Sequence, residues 1–224
     1  MADFQTANGL TTGLYTFSEA AHLLRVSSRR VLGWAKGYSH ARNGETRESA
    51  PILDRPFDAD GLLNFYDLVE LFFVREFRNL GVELPEIRAV AQELRQALDT
   101  PYPFAKRQVV ELGGKLVDKD LLTTVAERQQ VFEFAKEFFR DVDFDASGLA
   151  EAWHPLGKQK LIVLDPRRSF GAPIEIRSGI RTDTLFRQFK AEDQNAQAVA
   201  DWYEIPLEAV EQAVEFEEKW QKAA

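Results

Sequence analysis

The chain has 224 residues, 45% of them hydrophobic and 29% charged, which suits one large or two small globular domains and argues against a disordered chain. Cysteine is absent, so disulfides, thiolate catalysis and the usual structural zinc sites are excluded, and a reducing cytoplasm is the expected compartment. The net charge of −8 is segregated: residues 15–50 carry six Lys/Arg against three Asp/Glu, residues 156–190 eight against three, and residues 191–224 two against nine. A polyanion responds to the local face it meets, so the basic head and acidic tail point to different partners. No run of about 18 apolar residues occurs, and residues 1–12 lack a signal-peptide layout, so neither membrane insertion nor export is expected.

Helical signals begin at Ser18, read as an N-cap, and continue through Leu24. Arg25-Val26-Ser27 forms a short turn, and Ser27 caps a second helix reaching about Lys36. Two short helices around a three-residue turn are a helix-turn-helix signature, with Phe17, Ala20, Ala21, Leu24, Val26, Val31 and Trp34 as its core. Residues 37–60 turn polar, with 51–53 and 62–63 read as two short strands of a wing. Asn64 caps a strongly apolar helix over 65–80, stopped by Gly81, and another helix starts near Pro85 with Ile87, Val90, Leu94 and Leu98 on one face. The first helix is apolar nearly all round, so it calls for cover from the middle of the chain or from a second copy, and a homodimer is expected.

Farther on, residues 108–111 and 115–117 flank Leu112-Gly113-Gly114 as a hairpin, and a helix runs from about 124 to 140. Residues 141–149 read as a linker, while 161–164 and 173–176 read as strands. Three helices follow at 184–190, 195–203 and 206–219, the last two forming a second helix-turn-helix-like unit with Ala198, Val199, Trp202, Val210, Ala213 and Val214 as core. The whole is an α+β protein, mainly α, in two parts: 1–100 and 101–224.

Residues 15–37, the run Asn64-Phe65-Tyr66-Asp67-Leu68-Val69-Glu70-Leu71 and the run Gly81-Val82-Glu83-Leu84-Pro85-Glu86-Ile87-Arg88 resemble the winged helix-turn-helix of MerR-type regulators. That resemblance implies a second helix entering the major groove and a wing along the DNA backbone. Ser28, Arg29, Arg30 and Lys36 then fall on the reading helix, and Arg42 and Arg47 fall near the wing. Leu32 and Gly33 depart from the family pattern, which carries a basic or aromatic residue just before the tryptophan-like position. The later segments are similar to the small C-terminal domain of VapB-type antitoxins paired with PIN-like ribonucleases: 161–173, Ser178-Gly179-Ile180-Arg181-Thr182-Asp183-Thr184-Leu185, Val199-Ala200-Asp201-Trp202-Tyr203-Glu204-Ile205-Pro206 and 210–216. Residues 101–104 and 127–139 resemble the middle of the same architecture. The resemblance implies a non-enzymatic type II antitoxin that binds operator DNA and a PIN-like ribonuclease toxin and requires no cofactor. A MerR-like regulator with an effector pocket in 101–180 is the alternative, and a purely structural interaction module is a third.

Arg29, Arg30 and Lys36 suit phosphate contact, given a capped turn and a wing beside them. Glu204, Glu208, Glu211, Glu215, Glu217 and Glu218 on the second unit would repel phosphate and mark a protein-binding face. Arg167, Arg168, Arg177 and Arg181 are ordinary surface charge, groups reaching the acidic metal centre of a partner nuclease, or DNA contacts, while Glu208, Glu211 and Glu215 match the nuclease's basic RNA path. Trp202 and Phe216 are contact anchors or core residues, with core the expected role. His22, His40 and His154 are scattered without metal-ligand spacing, and Asp141, Asp143 and Asp145 lack the remaining positions of a calcium loop.

Overall fold

The computed structural model describes residues 13–42, 45–55, 57, 61–108 and 138–221. The described residues form a mixed fold of helices with two small sheets. The chain divides into two compact units, one of Tyr15–Phe139 with Phe144–Ala150, the other of Met1–Leu14, Arg140–Asp143 and Glu151–Ala224. Among the described residues no helix is long and apolar enough to cross a membrane. The hairpin expected at 108–117 and most of the helix expected at 124–140 lie outside the described residues; 138–140 are helical.

The unit built around Tyr15–Phe139 opens with α1 (Phe17–Leu24) and α2 (Ser28–Lys36). Thr16, not Ser18, caps α1: its hydroxyl accepts from the Glu19 amide, and the Glu19 carboxylate accepts from the Thr16 amide. The capping box needs Glu at the third helical position, and only a cap at Thr16 puts Glu19 there. Arg25 then takes a left-handed conformation, its amide donating to the carbonyls of the last turn, and α2 starts three residues later.

The hairpin after α2 is β1 (Tyr38–Arg42) with β2 (Glu45–Ser49), paired from Tyr38–Ser49 to Arg42–Glu45. This corrects the expected wing. Residues 51–53 form no strand; Ile52 and Leu53 are buried loop anchors, and Leu63 makes a single bridge to Tyr15. Gly37 enters the hairpin at φ +76°, and a Cβ there would stand 2.5 Å from the Ser49 carbonyl oxygen, so glycine is required by both torsion and space.

Helix α3 (Phe65–Asn79) is capped reciprocally by Asn64 and Asp67, and α4 (Leu84–Leu98) carries Pro85 in its first turn. Arg55 binds Asp67 through Nε at 2.9 and 3.1 Å, and its Nη2 reaches the Leu62 carbonyl at 3.0 Å. The apolar surplus of α3 is covered inside its own unit. Phe73 stacks on Phe104 at 5.5 Å between ring centroids, and Phe72 stacks on Phe138 at 4.5 Å. This helix therefore supplies no argument for a second copy.

Strands β3 (Val142–Phe144), β4 (Ala150–Trp153), β5 (Ile162–Leu164) and β6 (Pro173–Glu175) are adjacent in that order, with β5 and β6 wholly in the other unit. Residues 141–149 are thus no linker but a strand and a turn. Asp145 builds the turn: against a burial that would raise it, its carboxylate is held below the usual range by accepting from the Ser147 hydroxyl at 2.8 Å and from the Leu149 and Ser147 amides at 2.9 and 2.8 Å. Helices α5 (Thr182–Ala191), α6 (Ala196–Tyr203) and α7 (Leu207–Gln221) follow. Val199, Ala200, Ala209, Val210, Ala213 and Phe216 form their core, with Thr182 and Glu217 hydrogen-bonded inside it. Gln212 ties α7 to the sheet by accepting from the Leu161 amide at 2.7 Å. Phe216 is core as expected, but Trp202 is not: it is 75% exposed.

Candidate nucleic-acid interface and partner-binding surface

Helix α2 buries Val31, Trp34 and Ala35, which turns Ser28, Arg29, Arg30 and Lys36 outward. The first three cluster at the N-terminal end, where exposed arginines and free helical amides favour an anion. Lys36 sits at the other end, its ammonium 5.2 Å from the Phe17 ring centroid and 5.3 Å from that of Phe57, a cation–π arrangement that fixes it beside the loop before α3. Arg42 ends β1 opposite Glu45, and Arg47 lies in β2 opposite His40. Arg88 of α4 pins the hairpin base, donating to the Ala50 carbonyl at 2.8 Å and the Ser49 hydroxyl at 2.6 Å.

Between α2, the hairpin base and the end of α3 runs an open groove of about 920 Å³, lined by Arg29, Arg30, Tyr38, Arg75 and Arg78 among others. Arg75 donates to the Leu24 carbonyl at 3.1 Å and lies over the Phe72 ring at 4.1 Å. Burial lowers its affinity for the proton, Glu76 opposes that, and the like charge of Arg25 adds to the fall. Arg78 donates to the Val82 carbonyl at 2.8 Å and pairs with Glu83 at 3.0 Å. Sequence reasoning missed Arg75, Arg78 and Tyr38. The first two share a helix face three residues apart, and Tyr38 is a 46% exposed aromatic directly after a glycine in a polar run.

Glu70 of α3 is fully buried in the same unit. One carboxylate oxygen accepts from the Phe104 and Ala105 amides at 2.6 and 3.2 Å, and the other has no hydrogen-bond partner among the described residues. Burial outweighs these amides and Arg95 and pushes its pKa up to about 8, so the group is largely protonated at neutral pH.

In the other unit the four candidate arginines have separate surroundings. Arg167 donates to Asp165 at 3.0 Å and pairs with Glu151; the Asp165 hydrogen bond is the main reason its guanidinium is held still more firmly protonated. Arg168 donates to the Ile176 carbonyl at 2.7 Å. Arg181 precedes α5 and pairs with Asp183 at 3.1 and 3.0 Å. Arg177 is exposed, and its side chain makes no ion pair among the described residues. His154, buried, meets Asp143 at 2.8 Å, and Lys158 meets the same carboxylate at 2.6 Å; against a burial that would raise it, these two hold Asp143 below the usual range. No group of three His, Asp or Glu placed to hold a metal occurs among the described residues.

On α7, Glu208 accepts from Gln212 at 2.6 Å, Glu215 pairs with Lys219, and Glu211 is exposed. Glu217, by contrast, belongs to the core and not to the acidic face.

No family model matches the chain. A Mycobacterium tuberculosis protein named "Putative antitoxin VapB45" is 26% identical over 222 residues, spanning 90% of this chain and 92% of its own length. The crystal structure of the Rv2018 protein of Mycobacterium tuberculosis is 22% identical, with a TM-score of 0.67 over 89% of this chain and 96% of that one. The fold is therefore shared with a solved protein along nearly its whole length.

Proposed function

We propose that this chain is the antitoxin of a type II toxin–antitoxin system: a cytoplasmic, non-enzymatic protein that neutralises a PIN-like ribonuclease and binds operator DNA to regulate its own operon. The observation that carries the reading is the antitoxin name of a relative that aligns along nearly the full length of both chains. The placement of charge on two outward helix faces supports it. In this reading α1, α2 and the β1–β2 hairpin act as a MerR-like winged helix-turn-helix. Ser28, Arg29 and Arg30 enter the major groove, the groove arginines Arg75 and Arg78 follow the backbone, and Arg42 and Arg47 serve the wing. Leu32, 43% exposed between them, offers an apolar contact of the kind thymine methyl groups accept. A homodimer would place two such helices on a two-fold operator.

The ribonuclease is assigned to the unit carrying α5–α7. Glu208, Glu211 and Glu215 complement a basic RNA path, and Arg177 is the arginine best placed to approach an acidic metal centre. Arg167 and Arg181 would have to exchange Asp165, Glu151 and Asp183 for the partner's carboxylates, and Arg168 would have to give up a carbonyl. The test is co-expression with the product of the neighbouring gene. Co-purification, inhibition of its RNA cleavage and a gel shift on the operon's own promoter are expected. Absence of a complex between the two full-length proteins overturns the reading.

A further inference from the structure

Helices α1 and α6 are both eight residues long, and each ends on a left-handed residue, Arg25 or Glu204. Their seventh residues are therefore matched. In α1 it is Leu23, 4% exposed; in α6 it is Trp202, 75% exposed. The same local geometry that buries an aliphatic side chain in one unit leaves the largest side chain of all in water in the other. Leu207, 37% exposed, opens α7 across the same tight turn, and Asp201, Glu204, Glu208 and Glu211 of the same two helices and their turn are all exposed. Trp202 makes no ring or cation–π contact among the described residues, so nothing in its own unit accounts for its exposure.

We infer that Trp202, exposed on a helix pair that also exposes these four carboxylates, is the anchor that docks on the basic, RNA-binding surface of the ribonuclease partner. This rests on the antitoxin reading and adds the residue on which the contact turns. Charge decides the occupant. DNA would meet a row of carboxylates, and a second copy meeting this patch about a two-fold axis would set the same carboxylates against each other. A lysine- and arginine-rich RNA path complements these carboxylates, and such a path accepts aromatic rings where bases otherwise stack. Tryptophan is among the side chains enriched at binding hot spots.

The test is calorimetric titration of the full chain into the co-purifying ribonuclease, with Trp202→Ala and Glu208→Lys/Glu211→Lys variants alongside. Near-ultraviolet circular dichroism and light scattering accompany each variant. Trp202→Ala should weaken binding at least about 30-fold with the fold unchanged, the double reversal about 10-fold, and single-stranded polyuridylate should compete with the wild-type chain. Wild-type affinity in both variants overturns the inference while leaving the antitoxin reading standing. If the wild-type chain itself does not bind, both fall. A Trp202→Ala chain that loses a dimer or operator affinity, and not ribonuclease affinity, assigns the patch to a second copy or to DNA and overturns the inference as well.

Discussion

The two units contain nearly the same helix pair put to opposite electrostatic use. In both, the fourth and fifth residues of the leading helix are buried: Ala20 and Ala21 in α1, Val199 and Ala200 in α6. In both, the fourth and seventh residues of the following helix are buried too: Val31 and Trp34 in α2, Val210 and Ala213 in α7. The inner faces thus obey one packing rule. On the outer faces the matched positions are Arg29 and Glu208, Leu32 and Glu211, and Lys36 and Glu215. Backbone and core fix how two helices cross, while the outward residues fix which class of polymer that crossing admits.

The comparison is broken most directly by erasing charge on the basic pair. Arg29→Ala/Arg30→Ala should weaken operator binding about 1,000-fold, taking roughly 2 kcal/mol for each contact. The slope of affinity against salt should become shallower by one to two. Ribonuclease binding should be unchanged, because those arginines belong to the other pair. Fluorescence anisotropy on a labelled operator over a salt series measures this. An unchanged salt slope would mean that phosphate contact lies elsewhere.

Stability should also divide the units. Glu70 is a buried acid in the unit that carries α1 and α2, with a pKa of about 8. From its ordinary value of 4.5 up to about 8 the folded chain keeps a proton that the unfolded chain releases. Stability therefore falls as pH rises through that window and levels off on either side. Glu70→Gln keeps an acceptor for the Phe104 and Ala105 amides and removes the titration. It should match the wild type near pH 4.5 and exceed it by about 3 kcal/mol at pH 7. Hydrogen exchange resolved by segment should place the gain in 65–105 and not in 182–216. An equal pH slope in the variant would show that Glu70 is not the titrating group.

Much of this was legible in the sequence where a local rule and a periodic pattern agreed. The spans of α2, α3, α6 and α7 followed from caps and apolar spacing, and the outward placement of Arg29 and Arg30 followed from Val31 and Trp34 facing in. The hairpin was misplaced because Tyr38–Arg42 and Glu45–Ser49 are polar and charged, without the alternation that marks a half-buried strand. Ile52 and Leu53 drew the eye instead, yet they are buried as a loop, held by the Ile52 amide donating to the Trp34 carbonyl at 2.8 Å. Strands β3 and β4 have three and four residues, too short for a period to show. Trp202 was unreadable for another reason. Helical spacing places it on the side where α1 is covered, and whether that side of α6 has a cover is a tertiary fact. The aspartates beside Arg167 and Arg181 stand two residues away in each case, a spacing that could have flagged those arginines as already paired.

The finest test concerns the turns that make the two pairs alike. Arg25 at φ 52° and Glu204 at φ 54° both hold a left-handed conformation that costs a non-glycine residue about 1 kcal/mol. Glycine removes that cost but gives the unfolded chain more freedom, so Arg25→Gly and Glu204→Gly should each stabilise by about 0.5 kcal/mol. Equal gains, read by thermal melting of the full chain and segment-resolved hydrogen exchange, are expected if the turns are mechanically the same. Functional effects should split. Arg25→Gly removes a positive charge close enough to Arg75 to perturb it and should weaken operator binding a few-fold. Glu204→Gly removes one carboxylate from the turn that follows Trp202 and should weaken ribonuclease binding by a similar factor. A stabilising Arg25→Gly beside a destabilising Glu204→Gly would show that Glu204 has been given a packing role within its own unit. The equivalence of the two pairs would then stop at the helices and not extend through the turn.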